Sequence, residues 1–384
     1  MTHADRAAEP GRISTTRNMN VEAIRVLAMV WLVLYHAVLL NDRPGLFTTV
    51  LRGAGRMGWL GTDVFLVIAG FYCVRLAARR PGGPRSDSGS LPVRAMRLIP
   101  PYALFLAAYL TAGVALQRQL GNDFRLDPSH LVHFFTFTTN LRLAAGVHTG
   151  VALEGLFALA IGVQLYLGIT LMLRLVSDPS RRIGILVGML VVAIVMRAVY
   201  SDRTPWFIYF HTFTRMDAFV VGALLGVLED IEPARRLLMK RKRSLLIAGA
   251  GLFVATAGLT GGMSLWLPRS HQLIYPAVSL ATAALLNFAI RSAAGRLVRR
   301  VGSLGRYSYG VYLTKLPVTY IIFRVCEERL AAMSHAGFTV VFVISTLIGC
   351  YATGALWFLV IERPFIRLSG MLSGRRPAAV RARA

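Results

Sequence analysis

The chain has 384 residues, 55% of them hydrophobic and only 16% charged, yet 43 Lys and Arg against 18 Asp and Glu leave a net charge of +25. A mean hydropathy of +0.57 is more than a soluble core of this size can bury, which excludes an ordinary water-soluble globule. The basic residues cluster between apolar runs, a distribution that points to membrane topology and not to nucleic acid.

Apolar runs of about 17 to 25 residues match the roughly 30 Å hydrocarbon layer. They predict ten membrane helices, near 21–41, 59–78, 98–118, 150–176, 183–200, 212–230, 245–262, 272–291, 307–325 and 338–361. The fold class expected is therefore all-α integral membrane, with a polar tail over 1–20, one transmembrane domain over 21–368 and a basic tail over 369–384. Clusters such as RRLLMKRKR (235–243), RSAAGRLVRR (291–300) and the GRRPAAVRARA terminus all fall on one side of that arrangement. The positive-inside rule places that side, and both termini, in the cytoplasm of a multi-pass plasma (inner) membrane protein. The same clusters face anionic lipid headgroups, so membrane lipids are expected partners.

In the first helix, VEAIRVLAMVWLVLYHAVLL, Arg25 and His36 are eleven residues apart. At 100° per residue they fall within about 20° of one face, with roughly 16 Å of rise between them. Ionisable groups in a membrane are costly unless partnered or functional. His36 reads equally as a core histidine bonded to a neighbouring helix. The linker RRPGGPRSDSGSLP before the third helix is rich in Gly, Pro and Ser and is expected to be flexible. RAMR then sets Arg94 and Arg97 one turn apart, ahead of Pro100 and Pro101, which are expected to disturb the helix. Two adjacent guanidinium forks suit a phosphorylated ligand, although two snorkelling arginines have the same spacing. With Arg25 they form a three-arginine mouth above a deeper imidazole, a layout that fits acyl-CoA: phosphates at the mouth, the pantetheine arm extending down to His36.

Further along, residues 119–149 form a long segment with an apolar FFTF run, expected at the interface. His130 and His133 in it have the spacing of a partial metal site but lack neighbouring ligands, so no metal is expected. Arg215 and Asp217, two apart at the head of the sixth helix, point to different faces and need different partners. Asp63 reads either as a partner of Arg215 or as a helix N-cap. Lys315, in the ninth helix, needs a carboxylate from among Asp63, Glu154 and Asp217 if it is structural. Alternatively it stabilises an oxyanion. Glu362 is expected to pair with an arginine of the mouth, and Cys73, Cys326 and Cys350 show no disulfide framework.

Several segments together resemble the membrane acyltransferase 3 family of O-acyltransferases: RVLAMVWLVLYH, GTDVFLVIAGFY, RAMRLIPPY, RMDAFVVGALLG, LGRYSYGVYLTKLPV and IERPF, in that order over nearly the whole chain. The resemblance implies about ten spans and transfer of an acyl group, often acetyl, from cytoplasmic acyl-CoA to a hydroxyl of a carbohydrate, glycolipid or other hydroxylated small molecule. It implies catalysis by His36 and donor binding or support by Arg25, Arg94 and Arg97. The residues themselves add Asp63 and Lys315 as catalytic candidates and Arg215, Tyr309 and Gln164 as candidates for acceptor contacts, with Tyr309 reading equally as a packing and hydrogen-bond anchor. No permanently bound cofactor is implied. Two departures stand out: Lys315 replaces a family histidine in YLTKLPV, and FALAIGVQLYL carries Gly162 and Val163 at positions that are acidic in many members. A transporter or flippase, or a non-catalytic relative in envelope glycan assembly, are the competing readings.

Overall fold

The computed structural model describes residues 18–77, 91–120, 128–148, 150–264, 267 and 269–372. The 78–90 linker, most of the two tails and residues 121–127 lie outside the described set. Among the described residues the chain is all-helical, with no strand. Fourteen helices carry the argument: α1 Met19–Leu40, α2 Leu46–Gly55, α3 Gly61–Ala77, α4 Leu91–Leu120, α5 Phe157–Leu175, α6 Pro179–Val199, α7 Asp217–Leu228, α8 Glu232–Lys240, α9 Lys242–Leu259, α10 His271–Ile290, α11 Arg296–Ser303, α12 Ser308–Arg329, α13 His335–Trp357 and α14 Arg363–Leu372. Eight apolar stretches are long enough to cross a membrane, and the protein is an integral membrane protein.

Local chemistry sets several of these boundaries. The Asn18 side chain accepts hydrogen bonds from the backbone N–H of Asn20 (3.0 Å) and Val21 (3.3 Å), which starts α1 ahead of its apolar run. Asp178 caps α6 through Arg181 N–H at 2.7 Å, with Pro179 in the first turn. At the other end of α1 the Arg52 guanidinium, from α2, donates to the Asn41 carbonyl at 2.6 Å and so satisfies a carbonyl just past the helix terminus.

Four expectations need correction. The expected helix over 212–230 is instead a short turn, Thr212–Arg215, followed by α7, whose 12 residues are too few to span a bilayer. Ten of those 12 are buried, so α7 is a core element held inside the bundle. The helix over 150–176 breaks at Gly155 into Val151–Glu154 and α5. α4 begins well before residue 98 and runs straight through Pro100 and Pro101. A proline removes one N–H from the ladder, and here the packing of α4 against α12 and α14 holds the helix together across the gap. The ninth expected span, α12, has the length to cross but is absent from the eight apolar stretches, because Lys315 and Arg324 interrupt it.

The closest approach in the bundle is between α3 and α7. A Cβ on Gly70 would collide with the Phe219 carbonyl, and one on Gly222 with the Val67 carbonyl. Small residues are what let two helix backbones touch where lipid offers no hydrophobic driving force. α12 and α13 meet in the same way: a Cβ placed on Gly310 would lie 2.6 Å from the Gly354 carbonyl oxygen. Gly222→Leu is therefore expected to destabilise the solubilised protein by more than about 3 kcal/mol, above the usual range for overpacking because a backbone atom cannot step aside. Gly168→Leu, which faces open space, is expected to leave the thermal midpoint unchanged in the same melting experiment.

Candidate active site

Three groups of ionisable side chains lie in the bundle. The first gathers at the N-terminal end of α1. Arg25 forms an ion pair with Glu22 in its own helix at 3.2 Å. Glu362 is buried in a π-helical turn, Phe358–Glu362, between α13 and α14, where it lies within electrostatic reach of both Arg97 and Arg25. A π-turn re-aims one residue without ending the helix, which is how an acid at the close of α13 comes to face α1 and α4. The expected ion pair of Glu362 with an arginine of the mouth does not form among the described residues: the two guanidiniums act on it only at longer range, and its Oε1 has no hydrogen-bond partner. Tyr309 donates its hydroxyl proton to the Leu98 carbonyl at 2.8 Å, tying α12 to α4 just where the two prolines follow. Arg94 lies on the described backbone of α4, but its side chain is outside the described set.

The second group is His36 with Lys315. By helical rise His36 stands about 26 Å from Met19 and about 6 Å short of Leu40. It thus lies nearer the far end of α1 than its middle. Its ring contacts Tyr35 edge-on at 5.1 Å, and the Lys315 ammonium lies within electrostatic reach. Neither imidazole nitrogen makes a hydrogen bond among the described residues. Lys315 is only 1% exposed. Its ammonium donates to the Tyr312 carbonyl at 3.3 Å and sits 4.3 Å from the Tyr312 ring centre. Gly155 makes room for it, since a Cβ there would lie 2.9 Å from Nζ. Tyr312 closes this corner by donating to the Gly155 carbonyl at 2.6 Å and accepting from Leu159 N–H at 3.2 Å. The break before α5 and Lys315 therefore belong to one piece of local packing.

No carboxylate pairs with Lys315 among the described residues, which overturns its reading as a structural ion pair. Every acid the sequence offered is engaged elsewhere. Glu154 lies 2.8 Å from His148. Asp217 accepts from Arg197 at 3.1 Å, and Asp63 accepts from Arg215 at 2.8 Å. A buried ammonium held by one carbonyl and one aromatic face is expensive, and a residue kept at such cost is a candidate for chemistry.

The third group is that pair of ion pairs. Arg215 also donates to the Tyr275 hydroxyl at 3.3 Å, and its guanidinium packs 4.5 Å from the Tyr275 ring centre and 4.7 Å from that of Tyr209. Arg197 donates to the Thr214 carbonyl at 2.8 Å, and its side chain is fully buried. Arg215 and Asp217 have the two different partners that their spacing required. Asp63 pairs with Arg215, and it lies within the first turn of α3, not at an N-cap. These four charges brace α3, α6, the Thr212–Arg215 turn and α7, and among the described residues no hydrogen bond or ion pair joins them to His36 or Lys315. Gln164 is likewise committed to protein groups: it donates to Phe137 carbonyl and to Asn140 at 2.9 Å, and accepts from Thr212 at 2.5 Å. His133 is bonded to Thr138 at 2.9 Å and to Arg142 at 3.2 Å, and no metal-binding cluster occurs among the described residues. The three cysteines are buried and form no disulfide.

Over residues 18–359 the sequence matches the acyltransferase domain of the acyltransferase 3 family. The chain belongs to this family. No curated protein and no solved structure matches it. For this membrane acyltransferase, sequence reasoning missed Arg197, whose place two residues from the end of an apolar run resembles a snorkelling position. It also missed Gly155 and Tyr312 as the seat of Lys315.

Breaking one arm of the brace leaves a buried charge without its partner, so Arg215→Met is expected to cost about 3–5 kcal/mol. The double variant Asp63→Leu with Arg215→Met is expected to recover most of that loss, measured as a double-mutant cycle on thermal or denaturant unfolding.

Proposed function

We propose that this membrane acyltransferase uses acyl-CoA, with acetyl the first group to test, and delivers the acyl group to a hydroxyl of a carbohydrate or similar acceptor. The donor enters from the cytoplasmic face at the Arg25, Arg94 and Arg97 end. Arginine forks hold its phosphates by charge-assisted hydrogen bonds, and the pantetheine arm spans the roughly 16 Å to His36. His36 takes the proton of the acceptor hydroxyl as its oxygen bonds to the thioester carbonyl carbon. Lys315 donates an N–H to the tetrahedral oxyanion. The carbon–sulfur bond then breaks, and the thiolate leaves with the proton that His36 held.

The observation that carries this reading is the meeting of His36 and Lys315: an imidazole without a hydrogen bond among the described residues, beside a buried ammonium without a carboxylate. A structural ammonium would be paired, and a structural imidazole would be bonded. The Arg25, Arg97 and Glu362 group at the other end of the same helix supports a donor mouth, since it brings guanidiniums from α1 and α4 within electrostatic reach of one buried carboxyl group.

His36→Ala is expected to lower kcat by about 10²- to 10⁴-fold while the purified protein still inserts and still gains thermal stability with acetyl-CoA. Full transfer by that variant would remove His36 from the reaction. Lys315→Met separates chemistry from structure by moving the two in opposite directions. Removing an unpaired buried charge is expected to hold or raise the melting temperature, while transfer falls by about 10²- to 10³-fold. A fall in stability with unchanged kcat would make Lys315 structural.

A further inference from the structure

At the end of α1 opposite the arginine mouth lies a partly open cavity of about 380 Å³. Its lining includes Tyr35, Arg56, Trp59, Trp206 and the Gly261–Gly262 turn. None of these was assigned a role by the sequence, and none belongs to the three ionisable groups described above. The volume is at the lower end of the range for ligand sites and matches roughly one or two sugar rings.

Trp59 forms a fixed wall. It is 4% exposed and packs edge-on against Tyr209 at 5.6 Å and Tyr275 at 5.8 Å, with the Arg215 guanidinium 5.7 Å from its ring centre. The buried Asp63–Arg215 pair thus sets the plane of this indole. Trp206 faces the cavity from the short helix Pro205–Phe210, stacked on Phe210 at 5.9 Å. Gly261 and Gly262 adopt positive φ values of 56° and 77°, and no atom comes within 4 Å of a Cβ placed on Gly262, so this wall offers backbone without a side chain.

Arg56 is the charged residue of the lining. It is exposed, and its guanidinium makes no hydrogen bond or ion pair among the described residues. Its neighbour one turn earlier, Arg52, is committed to the Asn41 carbonyl. The Tyr35 hydroxyl also makes no hydrogen bond among the described residues, and its ring touches that of His36. Rigid indole and phenol faces suit the C–H faces of a pyranose, a hydroxyl donor suits its oxygens, and an unengaged guanidinium suits an attached anion.

We infer that this cavity binds a sugar carrying a negative charge, a carboxylate or phosphate on the ring, with Arg56 holding the charge and Trp59 and Trp206 holding the ring. This deepens the proposed function, on which it rests, by naming the acceptor class and the side from which it approaches His36. Arg56 selects for charge, and the indoles supply affinity that is indifferent to charge.

The test measures binding to the full-length protein in detergent, without donor. The probes are trigalacturonate, its neutral trimethyl ester, glucose 6-phosphate against glucose, and glycerol 1-phosphate as the headgroup of an anionic lipid. The charged sugar of each pair is expected to bind about tenfold more tightly than its neutral partner, the scale of one charge-assisted contact. Arg56→Gln is expected to bring that ratio to about one, Arg56→Lys to restore part of it, and Trp206→Ala to weaken both members of a pair alike. Equal binding of charged and neutral sugars, no binding of either, an Arg56→Gln ratio like the parent's, or glycerol 1-phosphate binding as well as glucose 6-phosphate would each overturn the inference. Because no donor is present, the inference can succeed in a protein that transfers nothing. Conversely, His36-dependent transfer to a neutral sugar, with no charge preference in binding, would keep the enzyme and remove this site.

Discussion

A membrane interior gives a charge no water, so each ionised side chain inside the bundle needs an opposite charge, a dipole or a job. The Asp63–Arg215 and Asp217–Arg197 pairs answer that demand in alternation. Two carboxylates and two guanidiniums form a neutral set at the point where α3, α6 and α7 meet. Gly70 and Gly222 let the α3 and α7 backbones touch beside that set. It also orients Trp59 through the Arg215 guanidinium, so the shape of the far-end cavity is tied to the same electrostatics.

Against this background Lys315 is the exception. The bundle contains acids enough to neutralise it, and all those the sequence offered are engaged elsewhere. Its seat is built from a glycine, a tyrosine ring and a single carbonyl, a setting that tolerates an ammonium without stabilising it well. That seat lies within electrostatic reach of the His36 imidazole. A buried ammonium kept at such cost is a candidate functional group.

Sequence patterning was most informative where one element carried the signal by itself. The helical periodicity and apolar length of α1 put Arg25 and His36 in register, and the two-residue spacing of Arg215 and Asp217 required two partners, as found. It failed where neighbours decide the outcome. Pro100 and Pro101 do not interrupt α4, because packing against α12 and α14 spans the missing hydrogen bonds. A 12-residue α7 cannot span a bilayer, yet it forms because its neighbours, not lipid, surround it. Gln164 looked available for an acceptor because its tie to Asn140 and Thr212 crosses loops distant in sequence.

Composition, apolar run length and the order of short motifs determined by themselves that this is an all-helical membrane protein of the acyltransferase 3 family, since those properties depend only on the chain's encounter with lipid and on local spacing. Which charges cancel and which stand alone was decided only by the tertiary structure. Partner choice depends on helix contacts many residues apart, as between Asp63 and Arg215, and on close approaches that small residues permit but do not announce. The cavity walled by Trp59 and Trp206 has the same origin: its residues come from four separate stretches of chain and meet only when the bundle closes.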